Sequence, residues 1–285
     1  MHIDNLYKNQ DILLFRECYA LEKTHGTSAN VRFEKINGLT LFAGGASQEL
    51  FIALFDTTSL LEKFTALSHE DITVYGEAYG GKMQGMSHTY GKELRFIAFE
   101  VRIGRCWLSV PDAANIVGGL GLEFVPYTKT STDLEILDML RDSPSEIAKR
   151  RGIKEIRPRE GIVLRPLIEV TKNNGDRIIA KHKGEAFQET RTKRSVVSLD
   201  KQKVWQDTES AALEWVTPMR LQHVLDGFPN ANVTQTGDVV RAMLADIERE
   251  GANEIEWNKE TKKAVSQLTV KLFKQHIINA FREDK

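Results

Sequence analysis

The sequence has few cysteines, no excess of charge of one sign and no long apolar run, and each of these features excludes a class of protein. Its 285 residues include two cysteines, Cys18 and Cys106. Two cysteines do not make a disulfide framework and favour a reducing compartment. Both lie in apolar stretches and are predicted to be core thiols.

The charge balance excludes a protein that binds nucleic acid through its overall charge. The 39 basic and 40 acidic residues give a net charge of −1. A polyanion can therefore bind only where lysines and arginines cluster locally. Neither a signal peptide nor a run of about 18 apolar residues is present, so we expect neither secretion nor a membrane span, and a cytoplasmic protein.

The composition is that of a globular protein, with 41% apolar and 28% charged residues. The length predicts one large domain or two unequal ones. In the first two thirds, Asn37-Gly38 and Asn174-Gly175 are hairpin signals between apolar stretches. The first signal joins predicted strands at 29–36 and 39–43, and the second joins 161–170 and 177–183. Further strands are predicted at 71–79, 94–103 and 122–127, and helices at 47–67, 132–141 and 144–151.

Short strands separated by turns and helices predict antiparallel sheets with inserted helices, an α+β fold. After about Ser198 the pattern becomes helical, and helices are predicted at 209–216, 218–225, 238–250 and 261–281. We therefore predict a first domain at 1–198 and a small all-helical domain at 199–285. The basic segment 191–194 between them is either a solvated loop or a contact to a phosphate backbone.

One short stretch near the N-terminus, Lys23-Thr24-His25-Gly26, suggests covalent chemistry. A lysine amine is a nucleophile once it has lost a proton, although its ordinary pKa is about 10.4. The site must therefore favour the neutral amine through burial or nearby positive charge. Gly26 would let the backbone pass close to a ligand or take a positive φ. The plain alternative is a surface lysine before a turn glycine.

Two acidic residues and one aromatic residue could work with Lys23. Glu77 ends a predicted strand before Gly80-Gly81, and Glu160 stands at the mouth of another strand. Phe99 lies in an alternating strand that could direct one phenyl ring into a pocket. Taken singly, the two glutamates could be turn carboxylates and Phe99 could be core.

Basic residues mark two of the later strands. Arg165 follows Glu160 by five residues. Lys181 and Lys183 share one strand face, because side chains alternate with a period of two. Two lysines on one face of an apolar strand need an anion, which would also explain a reactive lysine nearby. The alternative for this pair is an exposed strand end.

In order and spacing, these stretches resemble the covalent nucleotidyltransferases, namely ATP-dependent nucleic-acid ligases and mRNA capping enzymes. That superfamily has a K-x-x-G nucleophile, a strand-end glutamate, an aromatic strand, an E-G-x-V-x-[KR] strand and a K-x-K strand. The matching segments here are 23–26, 76–77, 96–101, 160–165 and 181–183. His25 makes the first motif similar to the second class of phage RNA ligases and the RNA-editing ligases.

The resemblance implies an α+β nucleotidyltransferase fold, an ATP-grasp-like ligase adenylation domain of antiparallel sheets with flanking helices. The same class carries a helical C-terminal domain in place of an OB barrel, in agreement with the helical pattern after Ser198. It also usually has a basic residue shortly after the first hairpin. Ala43-Gly44-Gly45-Ala46 stands there instead, and Arg32 is one candidate substitute for holding the ribose or the RNA end.

The activity that the resemblance implies is ATP-dependent joining of RNA 3′-hydroxyl and 5′-phosphate ends. It proceeds through lysyl-AMP on Lys23 and an adenylylated 5′ end. Phe99 would stack on adenine, Glu77 would reach the ribose, and His25 would act after lysine adenylylation. The implied catalytic residues are Lys23, His25, Lys181 and Lys183. The implied nucleotide-binding residues are Glu22, Lys23, Gly26, Glu77, Phe99, Glu160, Arg165, Lys181 and Lys183, with Mg²⁺ or Mn²⁺ on Glu160 and Glu77.

The expected partners are RNA ends in a nicked duplex, in which one strand can be DNA, and the protein is expected to be a monomer without a membrane partner. Three alternatives stay open at this point. The first is an ATP-dependent DNA ligase without an OB domain, and the second is a capping guanylyltransferase. The third is a nucleic-acid-binding relative without catalytic activity.

Overall fold

A computed structural model describes residues 3–188, 208–228, 231–252 and 254–283. The chain divides into two compact units, Met1–Gly184 and Glu185–Lys285. The basic segment 191–194 and the predicted domain boundary at 198/199 lie outside the described residues, so both stay predictions. In the part of the chain that the structure describes, no helix has the length and apolar character to cross a membrane.

The described part of the first unit contains two antiparallel sheets. The strands are β1 (Glu17–Lys23), β2 (Thr27–Glu34), β3 (Gly38–Ala43), β4 (Asp71–Gly80), β5 (Leu94–Ile103), β6 (Cys106–Trp107), β7 (Tyr127–Ser131), β8 (Gly161–Pro166) and β9 (Ala180–Lys183). One sheet has the order β7-β1-β8-β9 and the other β3-β2-β4-β5-β6. Consecutive strands β1 and β2 lie in different sheets, so residues 24–26 connect the two sheets directly.

The helices of this unit partly follow the predicted pattern. They are α1 (Gln48–Ile52), α2 (Thr57–Ala66), α3 (Ser87–Tyr90), α4 (Val110–Leu120), α5 (Leu134–Arg141) and α6 (Glu146–Arg150). The prediction of a single helix at 47–67 is wrong. Asp56 caps a new helix, because its side chain accepts a hydrogen bond from Ser59 N at 3.1 Å. Helix α6 begins after Ser145, two residues later than predicted, because the Ser145 hydroxyl accepts from Ala148 N at 3.0 Å.

The predicted strand at 122–127 is also wrong, apart from Tyr127, the first residue of β7. Before it, Phe124 forms one isolated bridge with Ala98 of β5, and Pro126 O accepts from Glu22 N at 2.8 Å. The segment thus passes from one sheet to the other and cannot pair along its length with either. Both hairpin predictions are confirmed by the pairing of β2 with β3 and by the Thr171–Arg177 bridge around Gly175.

The main core of the first unit lies between helices α1, α2 and α4 and one face of the five-stranded sheet. Its members include Val31, Phe33, Phe64, Val74 and Val117. The rings of Phe33 and Phe64 stack with centroids 5.7 Å apart. Each such buried side chain contributes about 1.5–3 kcal/mol. Because even-numbered residues of β4 point into this core, Glu77 projects from the opposite face of the sheet.

The second unit is helical, as predicted. Its helices are α7 (Thr208–Trp215), α8 (Pro218–Leu225), α9 (Thr236–Glu250) and α10 (Lys259–Glu283). Trp215, Val239, Met243, Ile247 and Phe273 form its own apolar core. The α+β fold with a helical C-terminal region is thereby confirmed.

Candidate active site

The Lys23–Gly26 loop, defined as residues 23–26, runs from the end of β1 to the start of β2. A Cβ atom on Gly26 would lie 2.3 Å from Ala78 O and 3.0 Å from Glu77 Cγ. Glycine is therefore required by the close approach of this loop to β4. The same approach brings Glu77 beside the loop, as the motif order predicts.

Three nitrogen-bearing side chains surround the carboxylate of Glu160. Lys23 Nζ lies 2.9 Å from Glu160 Oε2, and His25 Nδ1 lies 3.1 Å from the same oxygen. Lys183 Nζ lies 3.2 Å from Oε1. Glu160 is buried, while 23% of the Lys23 side chain is exposed. The structure thus brings together the lysine of the first motif, its histidine, the glutamate of the fourth motif and one lysine of the fifth.

The electrostatics of Glu160 reflect these neighbours. Burial by itself raises the pKa of its carboxyl, but Lys23, Lys183 and His25 hold this pKa well below its usual range. Glu160 is therefore ionised at neutral pH and is a poor base. Two lysines share this one carboxylate, an arrangement that suits an anionic ligand.

Strand pairing explains why residues so distant in sequence meet here. Lys23 pairs with Gly161 across β1 and β8, and Gly161 pairs with Lys183 across β8 and β9. The three residues form one row across the sheet, with Glu160 at its edge. Gly161 has φ +154°, and a Cβ atom there would lie 2.2 Å from His182 O. The glycine that follows the glutamate is therefore a requirement of the β8–β9 contact.

The contacts of His182 agree with the alternation of side chains predicted for β9. His182 Nε2 lies 2.6 Å from Asp138 Oδ1 of α5, on one face of the strand. Lys181 and Lys183 belong to the other face, and Lys181 is 7% exposed. Burial lowers the pKa of His182, although its bond to Asp138 acts in the opposite direction.

Phe99 occupies an irregular position in β5. Tyr75 pairs with Glu100, and the next residue, Gly76, pairs with Ala98, which leaves Phe99 without a ladder partner. This β-bulge shifts the alternation of the strand. Phe99 is half-buried and lies outside the main core, whereas Phe96 and Ala98 are inside it. Its ring thus remains a candidate surface for stacking.

Glu22 is engaged within the protein. Its Oε1 accepts from Ser145 Oγ at 2.5 Å and its Oε2 accepts from Glu146 N at 2.9 Å, at the first turn of α6. Burial raises the pKa of this carboxyl against the opposing effects of the Ser145 hydrogen bond and Arg159. These contacts tie β1 to α6, so the nucleotide contact that the resemblance implies for Glu22 stays a prediction.

The structure does not bring Arg165 to the Glu160 cluster. Its guanidinium is 1% exposed, donates to Glu169 Oε1 at 2.8 Å and lies 3.4 Å from Glu100 Oε1. Arg177 Nη2 lies 2.6 Å from carboxylate oxygens of both Glu100 and Glu169. Arg165 also donates to Phe99 O at 3.4 Å. These contacts indicate a structural role, and they give no support to a direct nucleotide contact.

Arg32, the candidate substitute for the missing basic residue, lies beside carboxylates. Its guanidinium is 2.7 Å from Glu34 Oε1 and 3.5 Å from Asp71 Oδ1. The glycines after the first hairpin fold back on β2, where Gly45 N donates to Thr27 Oγ1 at 2.9 Å. The role proposed for Arg32 therefore gains no support from its contacts.

Two residues that contact the Lys23–Gly26 loop belong to none of the motifs and were not predicted from the sequence. Tyr90 Oη accepts from His25 N at 3.3 Å, and Gln84 Nε2 donates to Gly26 O at 3.4 Å. The surrounding segment contains Gly80, Gly81, Gly85 and Gly91, all with positive φ. This glycine density is a sequence signal for an irregular loop, although it does not identify the two side chains.

The donor set fits a divalent cation that arrives with a nucleotide better than a resident metal centre. Among the described residues, no group of three or more His, Cys, Asp or Glu side chains is arranged to hold a metal ion. Mg²⁺ commonly binds through one or two carboxylates together with substrate phosphates and water. Glu160, and Glu77 next to the loop, are carboxylates of this kind.

The model of the RNA ligase family matches residues 16–183, more than half of the chain. A comparison with characterised protein sequences gave no match.

Solved structures with a similar fold include RNA ligases from Naegleria gruberi. A variant with AMP and manganese has a TM-score of 0.51, 15% identity, and coverage of 66% of this chain and 56% of that chain. The ligase with PPi and a second variant with ATP and manganese each have a TM-score of 0.51, 16% identity and the same coverage. The chain thus spans little more than half the length of these ligases, and the likeness concerns the fold.

Motif order, the geometry around Glu160 and the extent of the family match agree. By these criteria the chain belongs to the RNA ligase family.

Proposed function

We propose that the protein is an ATP-dependent RNA ligase that seals 3′-hydroxyl and 5′-phosphate ends through a lysyl-AMP intermediate. The observation that carries this proposal is the convergence of Lys23, His25 and Lys183 on Glu160. The cluster joins a partly exposed amine, that of Lys23, to a second lysine and a histidine, a combination that favours attack on a nucleotide phosphate. The AMP, ATP and PPi in the solved Naegleria ligases support ATP as the substrate.

In the first step, the neutral Lys23 amine attacks the α-phosphate of ATP. An N–P bond forms, the bond to pyrophosphate breaks, and the amine proton passes to solvent, because Glu160 is a poor base. Negative charge develops on the phosphate oxygens, and Lys183 and Lys181 stabilise it as preorganised cations. Glu160 and Glu77 would hold the divalent cation, which neutralises phosphate charge when bound.

Adenylylation changes the electrostatics of the cluster. The phosphoramidate nitrogen of Lys23 carries no positive charge, so Glu160 loses one of its cationic neighbours. Oε2 of Glu160 is then left with His25, 3.1 Å away. This change gives His25 a role in the second step, in which a 5′-phosphate oxygen attacks the AMP phosphorus and the N–P bond breaks. The amine regains a proton from solvent. The 3′-oxygen then attacks the activated 5′-phosphate, a new O–P bond forms, the bond to AMP breaks, and the hydroxyl proton passes to solvent.

Further contacts of the substrate follow from the remaining site residues. Phe99 stacks on adenine, Glu77 binds the ribose, and Gly26 allows the loop to lie close to both. RNA ends in a nicked duplex are the proposed nucleic-acid partner, bound by a monomer in the cytoplasm. Residues 1–198 carry the nucleotide chemistry, and 199–285 contribute to binding of the ends.

A two-part experiment tests the function. The full chain is incubated with magnesium and labelled ATP or GTP, and the protein-linked label is measured by gel and by mass. Nicked duplexes whose strands are RNA or DNA in turn are then offered. We expect an AMP adduct and sealing of nicks whose joined strand is RNA. A GMP adduct would identify a capping enzyme, sealing of DNA alone a DNA ligase, and no adduct a relative without catalysis.

The domain assignment has its own test. A chain ending at residue 200 is expected to form the AMP adduct at close to the full-length rate, because Lys23, Glu160 and Lys183 all lie before residue 184. It is expected to seal nicks poorly. A folded truncated chain, checked by circular dichroism, that forms no adduct would contradict this division of labour.

A further inference from the structure

The segment between β4 and β5 is much longer than a strand connection requires. These strands pair as an antiparallel hairpin up to Gly80 and Leu94, and such hairpins are usually joined by about 2–5 residues. Here residues 81–91, the Gly81–Gly91 loop, leave the sheet and return to it. Gly81 N donates to Gly91 O at 3.0 Å, which closes the base of the loop. The closed base indicates that this insertion has a defined shape.

This loop contacts the backbone of the Lys23–Gly26 loop at two points. Tyr90 Oη accepts from His25 N at 3.3 Å, and Gln84 Nε2 donates to Gly26 O at 3.4 Å. His25 and Gly26 lie between β1 and β2, where neither sheet supplies ladder partners. The two side chains therefore satisfy backbone groups on both sides of the peptide that joins His25 to Gly26.

Tyr90 is itself held rigidly. It is 1% exposed, and its ring meets that of Tyr79 edge-on, with centroids 5.3 Å apart. Tyr79 Oη in turn accepts from Arg151 Nε at 2.8 Å. Burial raises the pKa of both phenols, that of Tyr79 to about 12, so both are neutral at physiological pH. The acceptor for His25 N is thus fixed by packing.

Gln84 adopts an unfavourable backbone conformation, with φ +51°. Its side-chain Oε1 is buried and has no hydrogen-bond partner among the described residues. A strained residue with an unsatisfied buried atom is retained only where the surrounding structure determines it, and such residues concentrate at functional sites. Here the hydrogen bond from Gln84 to Gly26 O is the contact that holds the residue in this conformation.

We propose that Tyr90 and Gln84 are positioning residues that fix the backbone around His25, and thereby the imidazole beside Glu160. This inference rests on the proposed ligase function, because the imidazole acts when AMP leaves Lys23. Both residues act through the backbone of the Lys23–Gly26 loop. The consequence is a selective effect on the transfer of AMP to the nucleic-acid end.

The test for Tyr90 uses two matched tyrosine-to-phenylalanine variants of the full chain. Tyr90→Phe keeps the ring and leaves His25 N without its acceptor. Tyr79→Phe removes the neighbouring hydroxyl of the same ring pair, which bonds to Arg151 instead. We expect Tyr90→Phe to lower kcat for AMP transfer to a nick by about 5- to 100-fold, with KM little changed, and to affect lysine adenylylation less. Tyr79→Phe is expected to lower Tm while leaving this kcat within about twofold of the wild type.

A second readout does not depend on catalysis. Amide hydrogen exchange of His25, followed by NMR, should be faster in Tyr90→Phe than in Tyr79→Phe or the wild type. Equal exchange in both variants overturns the contact, and equal sealing kinetics overturn the positioning role. A wild-type protein that seals no nick refutes the ligase function, while the exchange comparison still decides the contact.

Gln84 is tested by Gln84→Leu and Gln84→Gly. Leucine removes the amide donor and keeps the strain, whereas glycine also relieves the positive φ. We expect both variants to slow AMP transfer, and we expect Gln84→Gly to be at least as stable as the wild type. Wild-type sealing by Gln84→Gly would mean that the residue only forms a turn, and it would overturn the role of its side chain.

Discussion

Two clusters of buried charge lie at opposite ends of strand β8, and they differ in charge balance. At the start, the single carboxylate of Glu160 meets the amines of Lys23 and Lys183 and the imidazole of His25. At the end, two guanidinium groups meet two carboxylates. The members of this second cluster are Arg165, Arg177, Glu100 and Glu169.

This difference supports a role in substrate binding for the Glu160 cluster and a structural role for the Arg165 cluster. Removing charge from water is costly unless an opposite charge compensates it. The Arg165 cluster is neutral within itself, and its central guanidinium is 1% exposed. In the Glu160 cluster two lysines share one carboxylate, and 23% of the Lys23 side chain is exposed. The proposed substrate, ATP, would therefore add its negative charge at the Glu160 cluster and not at the Arg165 cluster.

The largest expected effect comes from the nucleophile. Lys23→Arg keeps a cation beside Glu160 but cannot form the lysyl adduct, so we expect loss of detectable AMP-protein with little change in stability. Lys23→Ala should lose the adduct as well. Mass spectrometry after incubation with ATP and magnesium measures the product.

Lys129→Ala is a suitable control for this pair of variants. Lys129 lies in the same sheet, is half exposed, and pairs with Glu17 at 2.8 Å. It should adenylylate at the wild-type rate. An adduct of AMP mass in Lys23→Ala would place the nucleophile elsewhere and would remove the basis of the comparison.

The next effect concerns Lys183 of the Glu160 cluster and Lys181 of the same strand. Lys183→Met and Lys181→Met are each expected to slow adenylylation by about 10²–10³-fold, because each removes a preorganised donor to the phosphate oxygens. Both proteins should fold, because Glu160 keeps Lys23 and His25 as partners in either variant. The rate is followed by single-turnover label transfer, with circular dichroism for folding. Lys149→Met, on an exposed helix position, is the control. Near-normal rates in both strand variants would mark these lysines as structural.

The neutral cluster should respond in the opposite way. Arg165→Met leaves Glu169 and Glu100 without one buried partner, so we expect the free energy of unfolding to fall by about 3–5 kcal/mol. Adenylylation per folded molecule should stay within a few-fold of the wild type. Urea unfolding and adduct yield measure the two quantities. A stable Arg165→Met protein that fails to adenylylate would instead support the nucleotide contact that the resemblance implies.

Much of the site could be predicted from the sequence because its determinants are local. The alternation of Lys181 and Lys183 follows from strand geometry. The hairpin at Asn37-Gly38 likewise has a local cause in its turn residues. These two features require only neighbouring residues, so a pattern is sufficient to find them, whereas Gly26 and Gly161 are required by Ala78 and His182, which are distant in the sequence.

The remaining features depend on contacts between distant segments. The bulge at Phe99 lies where Ala98 of β5 also forms a bridge with Phe124. No periodicity in the sequence of the strand predicts it. Ser145 engages the Glu22 carboxylate from 123 positions away. Tyr90 and Gln84 lie in a glycine-rich segment whose path only the fold reveals. The break before α2 was predictable in principle, because Asp56 is a typical helix cap.

The smallest expected effect tests whether water is excluded from the start of β1 and the end of β8, beside the Arg165 cluster. Cys18 lies on β1 opposite Pro166, next to the Tyr19–Arg165 pair, and is fully buried. Burial raises the pKa of its thiol from 9.0 to about 11. Between pH 9 and 11 the unfolded chain therefore loses a proton that the folded protein retains.

Folding stability should accordingly fall as the pH rises through this window, by at most about 1.4 kcal/mol per pH unit from this group. Cys18→Ala lacks the thiol, so its free energy of unfolding should decline less steeply from pH 9 to 11, although it starts lower because of the cavity. Cys106 is exposed, so the prediction of a core thiol is wrong for this cysteine, and Cys106→Ala should run parallel to the wild type. Urea unfolding at several pH values gives the slopes. Parallel curves for Cys18→Ala and the wild type would mean that the thiol ionises normally, and that water reaches this end of β1 as it reaches Lys23.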